Sequence, residues 1–152
     1  MSRMPTSADR LDPIAPETTK RMRATAQRDN SSERRLRTAV HALGLRFRLH
    51  QKLSPGNRRT ADIVLPTSRI VVFVDSCFWH GCPIHGSAPK NNAALWKTKL
   101  DANHARDRDT DARLRTLGWK VVRVWEHEDA NRAAGKIARV VRARCQRLKT
   151  RP

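Results

Sequence analysis

The sequence predicts an α/β fold, a mixed central sheet flanked by helices, and three observations carry that prediction. Four short segments read as strands, at 45–51, 61–65, 70–74 and 119–125, either alternating or continuously apolar. Three longer segments read as helices, two of them with their apolar residues on one face. The resulting order is helix, strand, strand, strand, helix, strand, helix, which is the pattern of a layered α/β domain. At 152 residues a single domain can bury roughly two thirds of its unfolded surface.

Residues 1–16 are polar and contain proline, and read as a disordered tail rather than a secretory leader, since they lack an apolar stretch. Residues 17–150 are expected to form one domain. The segment 17–27 is helix-compatible and basic around Met22, which suits a solvated arm or an arm that clasps DNA. Asn30, Ser31 or Ser32 can cap the next helix, whose stripe is Leu36, Val40 and Leu43 and whose stop is Gly44. Glu33 lies in its first turn, where a favourable interaction with the helix dipole competes with a catalytic role. In the first strand Leu45, Phe47 and Leu49 alternate with Arg46, Arg48 and His50. The turn Ser54-Pro55-Gly56-Asn57 leads to a second strand that carries Asp62. A carboxylate beside an apolar strand is costly unless paired or bound to a cation, so Asp62 either pairs with Arg58 or Arg59 or holds a metal. A third strand ends at Val74-Asp75. The long helix to about Leu117 gains apolar contacts from Trp96, Leu100, Leu114 and Leu117, and Gly118 ends it. After the fourth strand, the helix 130–149 places Ile137, Val140, Val141, Cys145 and Leu148 on one face. Cys145 reads there as core.

Charge narrows the partners. The chain has 32 Lys and Arg against 14 Asp and Glu, a net charge of +18. Such an excess resists compaction and is tolerated where a polyanion supplies counter-charge, so nucleic acid is the expected partner. No apolar run approaches the ~20 residues of a membrane span, and neither a membrane role nor export is expected. Three cysteines are an odd number for a disulfide framework, and intracellular metal ligation accounts better for two of them.

Those two lie in Val74-Asp75-Ser76-Cys77-Phe78-Trp79-His80-Gly81-Cys82-Pro83-Ile84-His85-Gly86. This stretch concentrates a carboxylate, two thiols, two imidazoles and an aromatic pair. Cys77, Cys82 and His85 offer three zinc ligands, and His127 at a strand exit is the best-placed fourth. Local crowding argues against His80 as a ligand. Four protein ligands make such a zinc structural, so hydrolysis needs a second, harder site. There Asp62 would anchor a divalent cation and His80 would move a proton. Asp75 would orient His80 or bind metal-bound water.

Several motifs resemble one family, the very short patch (Vsr) mismatch repair endonucleases. They are Lys20-Arg21-Met22-Arg23-Ala24, Arg28-Asp29 followed by Glu33, Ala61-Asp62-Ile63-Val64, Val72 through Cys82 with its Cys-Phe-Trp-His core, Trp96, Asn103, Arg106-Asp107, Leu117-Gly118-Trp119 and Val124-Trp125-Glu126. The resemblance implies a fold related to type II restriction endonucleases and magnesium-dependent nicking 5′ to the thymine of a T:G mismatch. It implies that Asp62 and the Val74 carbonyl hold the magnesium, that His80 is the catalytic histidine and that Glu33 supports it. Phe78, Trp79 and Trp96 resemble an aromatic wedge beside the mismatch, Met22 resembles a residue inserted from the opposite groove, and Arg23 belongs to the same basic arm. Wedging is physically reasonable because a mismatched step costs less to unstack. This sequence departs from some relatives in carrying Asp75 for a second histidine and His127 for a cysteine. The lysine usual in restriction-type sites is also absent near Asp75.

The expectation is therefore a zinc-stapled, magnesium-dependent mismatch nicking endonuclease, a monomer acting on cytoplasmic, nucleoid DNA. Its rivals are a restriction or host-defence endonuclease of the same fold and a non-catalytic, zinc-containing DNA-binding module.

Overall fold

The computed structural model describes residues 31–53, 60–77, 79–84 and 92–150. The tail 1–16, the arm with Met22 and Arg23, the turn with Arg58 and Arg59, Phe78 and His85 lie outside the described residues. Among the described residues the elements run α1 (Ser31–Ala42), β1 (Arg48–Lys52), β2 (Thr60–Leu65), β3 (Ile70–Asp75), α2 (Ala93–Thr116), β4 (Lys120–Trp125) and α3 (Ala130–Lys149). The order is the one the sequence predicts.

The four strands lie side by side in sequence order. β1 and β2 are antiparallel, as are β2 and β3, and short connections suffice for both. β3 and β4 are parallel, which requires a crossover, and α2 supplies it. The sheet is mixed, and helices cover both faces. On one face Leu36, Ala39 and Val40 of α1 and Ala133, Ala134 and Ile137 of α3 pack on Ile63, Leu65, Ile70, Val72, Val122 and Val124. On the other face Leu114 of α2 packs on Ala61, Val64, Val71 and Phe73. β3 is apolar throughout because it is central and covered on both sides.

The expected alternation fails at one place. Regular pleating would put Ala61 on the same face as Ile63 and Leu65. Instead Ala61 clusters with Val64 on the opposite face. The break falls at Asp62, and across the ladder His50 has a φ of 50°, in the left-handed region.

Three apolar residues expected inside are outside. Leu43 is 52% exposed because α1 ends at Ala42 and the chain turns through Gly44 at φ 76°. Leu117 and Leu148 are also exposed, the first beyond the end of α2 and the second in the last turn of α3. Cys145 is half-buried rather than core. Asp129 caps α3 through the Arg132 N–H at 2.9 Å. No helix among the described residues is long and apolar enough to cross a membrane.

Candidate active site and metal centre

The site gathers where β2, β3 and β4 deliver polar side chains past the apolar core. Three clusters meet there.

The first surrounds Asp62. Its Oδ2 accepts the Val74 N–H at 2.7 Å, across the β2–β3 ladder. Ligand atoms of Glu33, His50 and Asp62 all lie within 4.8 Å of one another. Glu33 is 9% exposed, so α1 carries this carboxylate into the protein rather than only along its own dipole. Burial pushes the Asp62 carboxyl up to about 6, with Glu33 and Asp75 adding to the rise and the Val74 N–H and His50 opposing it. Two carboxylates in one enclosed place repel unless a proton or a cation lies between them.

The second cluster surrounds His80. Its Nδ1 is 2.7 Å from Asp107 Oδ2, on α2. Its Nε2 is 3.8 Å from Asp75 Oδ1. Arg123 of β4 ties the carboxylates together: one guanidinium nitrogen is 2.9 Å from Asp75, and two others fork onto Asp111 at 2.7–3.2 Å. The same guanidinium lies 4.7 Å over the Phe73 ring. Asp75 is 8% exposed; burial raises its pKa, and His80 and Arg123 pull it down. The cation beside Asp75 is therefore an arginine from the neighbouring strand, tied up by three carboxylates.

The expected juxtaposition of His80 and Asp62 is modified here. The imidazole grouped with Asp62 is that of His50. His80 stands one carboxylate away, connected through Asp75, which acts on both.

The third cluster is Cys77, Cys82 and His127, again with ligand atoms within 4.8 Å of one another. The Nδ1 of His127 is 3.1 Å from the Cys77 sulfur and 3.6 Å from that of Cys82. Both thiols are buried. Burial pushes Cys77 up to about 12, reinforced by Cys82 and Glu126. A pair of buried thiols with an imidazole is a donor set that a soft-tolerant dication converts to thiolates. His80 takes no part in this cluster.

The loop between β3 and this cluster is held from several sides. The Trp79 N–H donates to Ser76 Oγ and the His80 N–H to the Ser76 carbonyl. Asn103 donates to the Trp79 carbonyl at 3.0 Å and His104 to the His80 carbonyl at 2.7 Å, both from α2. Glu126 accepts the Cys77 N–H at 2.9 Å. Gly81 has a φ of 62°, and a Cβ there would touch His104 and Leu100. Trp79 is half-buried with its ring 5.9 Å from that of Trp96, which is 4% exposed.

Asp107, Asp111, Arg123, His104 and His50 received no role from the sequence. Two signals were available: Asn103 and Arg106-Asp107 already belong to the family resemblance, and Asn103, Asp107 and Asp111 recur every four residues, in line with Leu114, forming one polar face of α2. His50 carried no such signal, because alternation assigns it to the polar face of β1.

Positions 8–85 match the family described as DNA mismatch endonuclease Vsr. The type II nicking enzyme V.XorIIP of Xanthomonas oryzae pv. oryzae is 43% identical over 109 residues, 70% of this chain and 77% of its own. The type II nicking enzyme V.NaeI of Lentzea aerocolonigenes is 39% identical over 118 residues, covering 76% and 71%. DNA mismatch endonuclease Vsr of Escherichia coli is 38% identical over 109 residues, covering 70% and 67%.

Proposed function

The chain belongs to the Vsr family of DNA endonucleases, and from that premise we propose that it nicks double-stranded DNA 5′ to the thymine of a T:G mismatch, with magnesium as cofactor. The observation that carries the proposal is the pairing of the half-buried Asp62 carboxylate and its neighbour Glu33 with an imidazole that Asp107 orients. A DNA-binding module has no use for either.

Asp62 and Glu33 would hold the divalent cation, with the Val74 carbonyl as a third oxygen. Bound there, the ion supplies positive charge to polarise the phosphate and stabilise the leaving oxygen. The chain's own residues do the rest. Asp107 accepts the Nδ1–H of His80, which leaves Nε2 with its lone pair to take a proton from the attacking water. Asp75 and Arg123 keep that ring and its carboxylate in register. The fit rests on donor chemistry: an enclosed acidic pair suits a hard dication, whereas buried thiols with an imidazole suit zinc. We assign Cys77, Cys82 and His127, with His85 as fourth ligand, to a structural zinc that braces the loop carrying Trp79 and His80.

Trp79 and Phe78 would enter beside the mismatch, with Trp96 as a buried backing ring. Met22 and Arg23 would grip the lesion from the other groove, on the family resemblance. The basic surface would hold phosphates of cytoplasmic, nucleoid DNA, and one copy of the chain suffices for one lesion.

A second reading has a specific support, since two of the relatives above are named type II nicking enzymes. The test is a duplex with a single T:G pair against its matched control, both with magnesium. Nicking of the mismatched strand alone is expected. Equal cutting of both would favour a restriction-type nuclease, and binding without cutting would favour a non-catalytic module.

A further inference from the structure

We propose that His50 is a direct ligand in the cation site with Glu33 and Asp62, giving this chain a centre that accepts magnesium but binds manganese(II) more tightly. The proposal deepens the reading of Asp62 as a metal residue and rests on it.

The backbone places the imidazole where the strand pattern would not. In β1, Leu49 packs with the cluster under α1. Strict alternation would turn the next residue, His50, to the opposite face. Glu33 lies on α1, on the Leu49 side. Yet a ring nitrogen of His50 lies within 4.8 Å of ligand atoms of both Glu33 and Asp62. The left-handed conformation of His50, with φ 50°, accounts for the reversal. A non-glycine residue in that region costs of order 1–3 kcal/mol and persists where surrounding structure imposes it. The opposite strand is irregular at the same level: the face assignment changes across Asp62. Two local departures from regular pairing therefore converge on one point, and each brings a metal-ligating side chain to it.

Those separations suit one ion. Ligands about 2.1 Å from a metal lie roughly 3 Å apart at adjacent positions and about 4.2 Å apart across it. A set already within 4.8 Å needs only rotamer-scale contraction. Two carboxylates alone are a hard, all-oxygen set of the kind magnesium accepts with its waters. An imidazole nitrogen changes the ranking, because nitrogen ligands favour transition ions over magnesium. The set is also separate from the thiol cluster, whose ligands are Cys77, Cys82 and His127.

The test is manganese(II) binding to the full-length protein, followed by the loss of the free-ion electron paramagnetic resonance signal, with magnesium as competitor. Pulsed measurements on the bound ion then look for coupling to an imidazole nitrogen. Wild type should bind manganese at least about tenfold more tightly than magnesium and show that coupling. His50→Gln should lose about tenfold or more in manganese affinity and lose the coupling, with a smaller loss for magnesium, which gains less from an imidazole nitrogen. His50→Asn, which tolerates the left-handed backbone better, guards against a folding defect and should behave the same way. Nitrogen coupling that survives in both variants would overturn the proposal. If Asp62→Asn abolishes manganese binding while both His50 variants bind as wild type, only the role of His50 fails. If Asp62→Asn also binds as wild type, the reading of Asp62 as the metal residue fails with it.

Discussion

Replacing Asp62 by asparagine should abolish nicking and at the same time stabilise the protein above neutral pH. The folded protein binds the Asp62 proton more tightly than the unfolded chain does, since burial raises the carboxyl from 3.8 to about 6. A group raised in this way makes stability fall as pH rises through that interval and level off above it. At about 1.4 kcal/mol for each pH unit, the gap amounts to ~3 kcal/mol, an upper bound because the side chain is only partly buried. Asparagine removes the charge, and its carbonyl can still accept the Val74 N–H. Urea denaturation without magnesium at pH 4 and pH 8 measures the effect. The variant should match wild type at pH 4 and exceed it by 1–3 kcal/mol at pH 8 (order of magnitude). Saturating magnesium should close much of that gap by stabilising wild type alone. A variant that is less stable than wild type by the same amount at both pH values would refute the reasoning, because Asp62 would then be an ordinary satisfied carboxylate.

Other outcomes follow from the same geometry. Asp107→Asn should lower nicking by roughly 10²-fold or more through the wrong tautomer of His80, with DNA affinity unchanged; weakened binding at normal turnover would contradict the assignment. Elemental analysis should find one zinc per chain, and Cys77→Ser should lose it and lower the melting temperature; zinc-free wild type of equal stability would remove the structural role. Affinity for duplex DNA should fall with salt at a log–log slope near −5 if ~6 phosphates are neutralised. A flat response would separate the surplus charge from DNA binding.

Much of this was legible in the sequence, and the parts that were not share a cause. The strands, α1 and α3 follow from apolar spacing, α2 is read from its length and its stop at Gly118 rather than from an apolar face, and α3 runs over the expected 130–149 because Asp129 caps it and its stripe is regular. Leu43, Leu117 and Leu148 were misplaced because spacing places a residue on a face without saying where the neighbouring layer ends. The pairing of Asp62 with Glu33 was reachable only through the family resemblance, since the two sit on different elements. His50 was illegible for a sharper reason: a left-handed residue in mid-strand cancels the alternation that a pattern argument relies on. Arg123 looked like the polar face of β4, and only the crossover helix, by setting Asp107 and Asp111 above the sheet, makes it the clamp of the site.

The account stands on His80 moving a proton beside a cation held at Asp62. Single-turnover nicking of an end-labelled duplex with one T:G pair, wild type against His80→Ala, measures that step directly. The account predicts that the variant binds the mismatch as wild type does but leaves the thymine strand intact over many wild-type half-lives. A variant that cuts the same bond at a rate within threefold of wild type, by order of magnitude, would contradict it.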